Sequence, residues 1–260
     1  MAFNPSKIRS RTAVGRLRGQ DLFLAELLSQ ELSPDDFVVD LGFGEEAWTV
    51  LEMAAQLRKI EPNLRVIGLE TDPRRISGAD PDQNPLNCFE YVEPEDELSL
   101  QFEGAAMLRA MNVLRSYPEH EIWPTIQNWA KCLRDGGWLL EGSSSASGHI
   151  LTSHVWRRMS GQVRHLGLLL YTDFSSGFAP WMFRDHLPRD LRRNLKPEVA
   201  LYQTLAQWHE NWLSLRTKAL TQEELFSESS SFLNSSDLVG TLFVPSERVW
   251  DTKKVELNLG

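Results

Sequence analysis

Cysteine is scarce in this sequence. Cys88 and Cys132 are the two among 260 residues, and they form no CxxC and no Cys/His spacing. That excludes a disulfide framework and a zinc-finger type of ligand set. Long apolar runs are missing too. The most apolar stretch, Leu166 to Tyr171, is far short of the roughly 20 residues that cross a bilayer. The first twenty residues are polar and basic, without the apolar centre of a signal peptide. Positive charge is in deficit, with 27 Lys and Arg against 36 Asp and Glu and a net charge of −9. Such a surface argues against general nucleic-acid binding, which needs clustered cations for phosphate contact. The expectation from these absences is a soluble, cytoplasmic protein with no metal and no membrane attachment.

What is present is enough apolar material, 42% of the chain, for a large core. Residues 7–18 are a basic segment, carrying Lys7, Arg9, Arg11, Arg16 and Arg18 with no acid before Asp21. This reads as a solvated arm, or as a contact for a phosphate-bearing substrate, and it leaves nucleic acid open as a partner. Residues 21–32 have the leucine spacing of a helix, ended by Ser33-Pro34-Asp35-Asp36.

From there strand and helix patterns alternate. Residues 37–41 and 64–69 are short apolar runs that read as buried strands, the second ending at Glu70, with a helix over 46–60 between them. Thr71-Asp72-Pro73 opens another helical turn. Residues 88–92 and 105–110 fit a third and a fourth strand. A helix over 118–133 follows, and Gly136-Gly137 releases a fifth strand at 138–140 that runs to Glu141. This order, with short loops, implies a parallel sheet with helices on its faces. After a serine-rich loop at 143–147, residues 150–158 and 163–172 read as a hairpin turning at Ser160-Gly161. A helix begins near Pro197, with Leu201, Leu205, Trp208, Trp212 and Leu215 on one face. Residues 227–236 read as a loop and 248–257 as a closing strand. Residues 1–33 are expected to form an N-terminal arm and helix. Residues 34–260 form a single domain with a helical and hairpin elaboration from about 145 to 260.

The turn after the first strand carries the chemistry. Gly42 and Gly44 allow a tight turn and close approach of a ligand, and the following helix points its free N–H groups into the same space. Glu70 ends the neighbouring strand, where a carboxylate can accept from both hydroxyls of a ribose. Residues 42–47 also match G-x-G-x-x-A, so a nicotinamide dinucleotide and an NAD(P)-dependent oxidoreductase remain an alternative.

Three segments resemble a family. Val38-Val39-Asp40-Leu41-Gly42-Phe43-Gly44 looks like motif I of the class I S-adenosylmethionine-dependent methyltransferases. Val66-Ile67-Gly68-Leu69-Glu70-Thr71-Asp72-Pro73 is similar to motif II. Met111-Asn112-Val113-Leu114 and Leu133-Arg134-Asp135-Gly136-Gly137 resemble the later motifs, in order, over residues 36–142. The resemblance implies a Rossmann-like α/β three-layer sandwich with a mostly parallel, seven-stranded sheet and an antiparallel hairpin at its C-terminal edge. It implies S-adenosyl-L-methionine as cofactor and methyl transfer to an unidentified acceptor, a small molecule in preference to nucleic acid. Asp40 would lie near the amino and sulfonium end of the cofactor. Gly42, Phe43 and Gly44 would meet its methionine part, Glu70 with Thr71 beside it would hold the ribose, and Asn112 would line the methionine pocket. The alternative reading of the same residues takes Asp40 and Glu70 as strand-end charges bonded to neighbouring loops, and Asn112 as a helix cap or turn residue.

The departures bear on activity. Glu46, preceded by Glu45, occupies the third glycine position of motif I, which keeps a non-catalytic cofactor-binding protein as an alternative. Glu93, Glu95, Asp96 and Glu97 are all candidates to meet the adenine amine. No catalytic base is assigned, since methyl transfer needs none as a rule. His149, His154, His165, His186 and His209 read as surface or packed side chains. Glu141 sits at a strand end on the substrate side. Phe178, Trp181, Phe183, Arg184 and His186 read as packing the hairpin against the long helix, with the wall of a substrate pocket as the alternative.

Overall fold

Ala105–Met111 is buried at all seven positions, the signature of a central strand covered on both faces. In the computed structural model, which describes residues 13–78, 84–93, 98, 101–233, 238–250 and 256–258, this strand is β4. It pairs in parallel with β1 (Phe37–Leu41) on one side and β5 (Leu133–Ser144) on the other. Beyond β1 lie β2 (Arg65–Glu70) and β3 (Asn87–Tyr91), both parallel. Beyond β5 the direction reverses, and β6 (Ile150–Met159), β7 (Gln162–Thr172) and β8 (Thr241–Pro245) follow as an antiparallel meander. The order is β3-β2-β1-β4-β5-β6-β7-β8, with β9 (Glu256–Asn258) sharing the outer edge of β7.

Helices cover both faces, giving three layers. On one face α1 (Arg18–Leu28), α2 (Trp48–Leu57) and α3 (Pro73–Gly78) enclose a core in which Leu24, Leu28, Val50 and Met53 meet Val38 and Met107. On the other, α4 (Glu119–Ala130) buries Ile122, Ile126 and Trp129 against Val39, Leu108 and Leu139. Past the parallel part, α5 (Arg189–Arg193), α6 (Ala200–Leu215) and α7 (Gln222–Ser229) close a third core with Leu168, Leu170 and Leu242.

The order of the parallel strands and the hairpin follow the sequence pattern; five details differ. The sheet has nine strands where seven are expected, because β8 and β9 add to the edge of β7. Gly136-Gly137 does not precede β5 but lies inside it, with Gly136 at φ 77° where the register with β4 shifts. Ser143 and Ser144 continue β5, and the loop begins at Ser145. Ser227–Ser229 are the last turn of α7. That helix starts from a capping box in which Thr221 Oγ1 accepts from the Glu224 N–H and the Glu224 carboxylate accepts in return. Of the closing strand expected at 248–257, Arg248 ends a 3-10 turn, Glu256 and Leu257 lie in β9 and 251–255 fall outside the described residues, while β8 adds a strand ahead of that span. Lys7, Arg9, Arg11, Glu95, Asp96 and Glu97 lie outside the described residues.

Candidate functional site

Strand order reverses between β1 and β4, since β1 continues to β2 on one side while β4 and β5 lie on the other. Ligands of open α/β sheets sit at the carboxyl end of the strands at such a switch point. A cleft opens there, enclosing about 1020 Å³ with its solvent-filled mouth included. Asp40, Gly42, Phe43, Gly44, Glu70, Thr71 and Asn112 all line it.

The turn at its centre requires glycine. Gly42 and Gly44 have φ of 75° and 91°, in the left-handed region that side chains disfavour. A Cβ on Gly42 would stand 2.7 Å from Val113 Cγ2. The Gly42 N–H donates to the Leu69 carbonyl at 2.7 Å, and the Gly44 N–H to Glu70 Oε1 at 2.9 Å, so β2 holds the turn. Glu70 is buried and heavily engaged. Its Oε1 also takes Arg75 Nη1 at 2.6 Å, and its Oε2 takes the Thr71 N–H at 2.9 Å. Helix α2 begins at Trp48, and its cap residue Ala47 supplies no side-chain acceptor. Glu45 and Glu46 are exposed ahead of it, and Glu46 accepts from the Trp48 indole.

Asp40 reaches the cleft already paired. Arg109 of β4, fully buried, forks onto it with Nε to Oδ1 at 2.9 Å and Nη2 to Oδ2 at 2.8 Å. The same guanidinium donates Nη1 to Asp21 Oδ1 of α1 at 2.5 Å and Nη2 to the Thr49 carbonyl at 2.8 Å. Burial raises the Asp21 pKa to about 7, against the pull of Arg109. Burial also works against the Arg109 charge, but Asp40 and Asp21 outweigh it and hold its pKa above the usual arginine value. The sequence signal for this triad is a lone arginine inside an apolar strand, which demands a buried acid partner.

Asn112 both lines the cleft and makes a turn. At φ 63° it leaves β4, donates its N–H to the Gly142 carbonyl at 2.7 Å and accepts the Ser144 N–H on Oδ1 at 3.1 Å. Of the rest of the wall, the sequence points to Arg16, as part of the basic segment 7–18, and to Glu93, as a candidate for the adenine amine. Arg16 and Leu17 come from just before α1, Arg75 from α3, Tyr117 from the turn before α4 and Trp129 from α4 itself. Leu41, Val92, Leu98 and Trp129 belong to one apolar cluster and form an apolar flank. Glu93 lines the cleft beside Val92.

Glu141 is not among the lining residues. Because β5 runs on to Ser144, it lies within the strand, buried opposite His154 of β6. Burial, reinforced by Asp190, raises its pKa well above the usual glutamate value. His154 and His165 are buried in one chain of hydrogen bonds. The Trp250 indole donates to His165 Nδ1 at 2.9 Å, His165 Nε2 lies 2.9 Å from His154 Nδ1, and His154 Nε2 lies 3.2 Å from Asp190 Oδ1. With the indole N–H fixed as donor, the chain is consistent only with each imidazole neutral and protonated on Nε2. Burial, then His154, depresses the His165 pKa well below the usual value. His149 instead pairs with Asp173 at 2.7 Å on the surface side. Phe178 and Phe183 are buried against Trp208, so this stretch packs the long helix. Among the described residues no three His, Cys, Asp or Glu side chains gather as a metal site. No helix there is long and apolar enough to cross a membrane.

No family model matches the chain, and no curated protein matches it. Solved structures with a similar arrangement include the CMeT domain of citrinin polyketide synthase, at TM-score 0.41 and 19% identity over 48% of this chain and 34% of that one. The DszA carbon methyltransferase matches at TM-score 0.39 and 15% identity, over 47% and 32% of the two chains. Magnesium protoporphyrin IX methyltransferase from Synechocystis PCC 6803 with bound SAM matches at TM-score 0.37 and 17% identity, over 49% and 58%. The matched part thus spans about a third of the first two chains. At TM-scores this low a likeness assigns no family.

Proposed function

We propose that the cleft binds S-adenosylmethionine and that the protein transfers its methyl group to a small-molecule acceptor. The observation that carries this is convergence. Seven residues drawn from three separate motif-like segments line one cleft at the switch point of the sheet. The lining also suits the two ends of such a ligand. Leu41, Val92, Leu98 and Trp129 offer an apolar flank for a purine, with Glu93 beside it as acceptor for an exocyclic amine. Arg16 and the uncapped start of α2 favour a carboxylate. When bound, the cofactor supplies an electrophilic methyl group on a sulfonium. The chain's own part is to hold both ends and exclude water, which is where catalysis of an in-line displacement resides. Asp40 faces this space as half of a neutralised pair with Arg109. Glu70 accepts a ribose hydroxyl by displacing Arg75 from Oε1 or the long 3.4 Å Asp72 N–H contact from Oε2. Glu46, exposed and bonded to Trp48, does not fill the cleft, so the missing third glycine leaves room for ligand.

Arg75 against Glu70 also favours a second reading, because an arginine beside this acid is how a dinucleotide's 2′-phosphate is accommodated. Calorimetric titration with S-adenosylhomocysteine and with NADPH separates the two. Binding of the homocysteine compound, and label transfer from methyl-labelled cofactor into a small-molecule extract, are expected. NADPH binding in its place would overturn the reading, and cofactor binding without label transfer would leave a non-catalytic binding protein.

A further inference from the structure

Cations gather beside the cleft on a chain whose net charge is −9. Arg115 follows the cleft-lining Asn112 and Val113 and donates from Nη1 to Asn112 Oδ1 at 3.3 Å. Arg189 of α5 donates from Nη1 to the Arg115 carbonyl, which fixes α5 at the same rim. Arg192, further along α5, donates to the Asp185 carbonyl at 3.2 Å, and His186 lies just ahead of the helix. The charges reach one another. Burial and then Arg192 lower the Arg115 pKa, and burial and then Arg115 lower that of His186. Arg16, inside the cleft, is lowered by burial and then by Arg115. Glu119 and Asp185 are the acids that face this group, both exposed, and the Glu119 carboxylate accepts from Asn194. Among the described residues neither forms an ion pair with Arg115, Arg189 or Arg192.

Two polar atoms of the same group are left open. Arg189 Nε and His186 Nδ1 are buried with no hydrogen-bond partner among the described residues. Packing like charges together and leaving donors unmet both cost stability. A bound anion relieves the repulsion, and guanidinium forks match carboxylate and phosphate oxygens. We propose that Arg115, His186, Arg189 and Arg192 form the docking site for an anionic group, a carboxylate or a phosphate, on the methyl acceptor. The assignment to an acceptor rests on the methyl-transfer reading of the cleft; the anion site itself does not.

The full chain is titrated calorimetrically at low salt with inorganic phosphate and, separately, with benzoate, each with and without saturating S-adenosylhomocysteine. At least one anion is expected to bind, with Kd on the order of 1 mM, and which one distinguishes phosphate from carboxylate acceptors. Arg192→Gln and Arg115→Gln, at half-buried and exposed positions, are expected to weaken that binding at least tenfold. Arg192→Lys should weaken it less, and thermal melting checks that each variant is folded. Binding of neither anion, or equal binding to wild type and both folded glutamine variants, overturns the proposal. Anion binding without S-adenosylhomocysteine binding sinks the methyl-transfer reading and leaves the anion site standing. Binding of the homocysteine compound without an anion does the reverse.

Discussion

Gly42 has a positive φ, no room for a Cβ and a backbone N–H tied to β2, so a side chain there disturbs the turn from two directions at once. Gly42→Val is expected to abolish S-adenosylhomocysteine binding while the sheet survives, checked by calorimetry beside a circular-dichroism melt. Glu70 tests a different idea. Its carboxylate holds the Gly44 and Thr71 N–H groups before any ligand arrives. Glu70→Ala should therefore lower stability as well as affinity, each by about 1–3 kcal/mol, through unmet buried donors. A variant that loses affinity with no change in melting temperature would show that Glu70 serves ligand alone. Arg75→Ala frees a place on Oε1. If ribose and Arg75 compete for it, this variant binds S-adenosylhomocysteine more tightly than wild type, and weaker binding would mean that Arg75 itself meets the ligand.

Between elements, the Asp21–Arg109–Asp40 triad joins α1, β4 and β1 through a single guanidinium. Arg109→Met leaves two buried carboxylates without a cation and is expected to cost about 3–5 kcal/mol. Adding Asp21→Asn and Asp40→Asn should recover most of that loss, read from denaturant midpoints at constant slope. What the sequence made legible follows the same scale. Local patterns were readable: the parallel strands, the Ser160-Gly161 hairpin and the glycine turn all follow from short-range chemistry. The motif-like segments likewise pointed to residues that line one cleft. Partners far apart in the chain were not readable. Asp40 looks like a free strand-end acid until Arg109, 69 residues on, is brought against it. Arg16 and Trp129 enter the wall only because α1 and α4 pack on opposite faces of the sheet. β8 was missed because its short run, ending at Pro245, gains its pairing only from β7.

Across the whole molecule, buried acids set the response to pH. Asp21, raised to about 7 by burial, keeps a proton in the folded state that the unfolded chain releases near pH 4. Its contribution to stability is complete below about pH 4 and fades as pH climbs through about 7. Glu141 acts in the same direction. The melting-temperature advantage of Asp21→Asn, and of Glu141→Gln, over wild type should therefore grow from pH 5 to pH 8. An advantage that shrinks over that range would reverse the assignment. His165 opposes them, since its depressed pKa makes the fold lose stability as pH falls below the usual histidine range. The Asp21–Arg109–Asp40 triad also bears on how this sequence is free to drift. Neither Arg109 nor Asp40 can change alone without stranding a charge in the core, whereas Asp21 can be neutralised by itself and the whole set can be exchanged together for neutral side chains. Among natural relatives, positions 40 and 109 should vary as a pair while position 21 varies more freely, so that a lineage which loses Arg109 will have given up its acids at 21 and 40 as well.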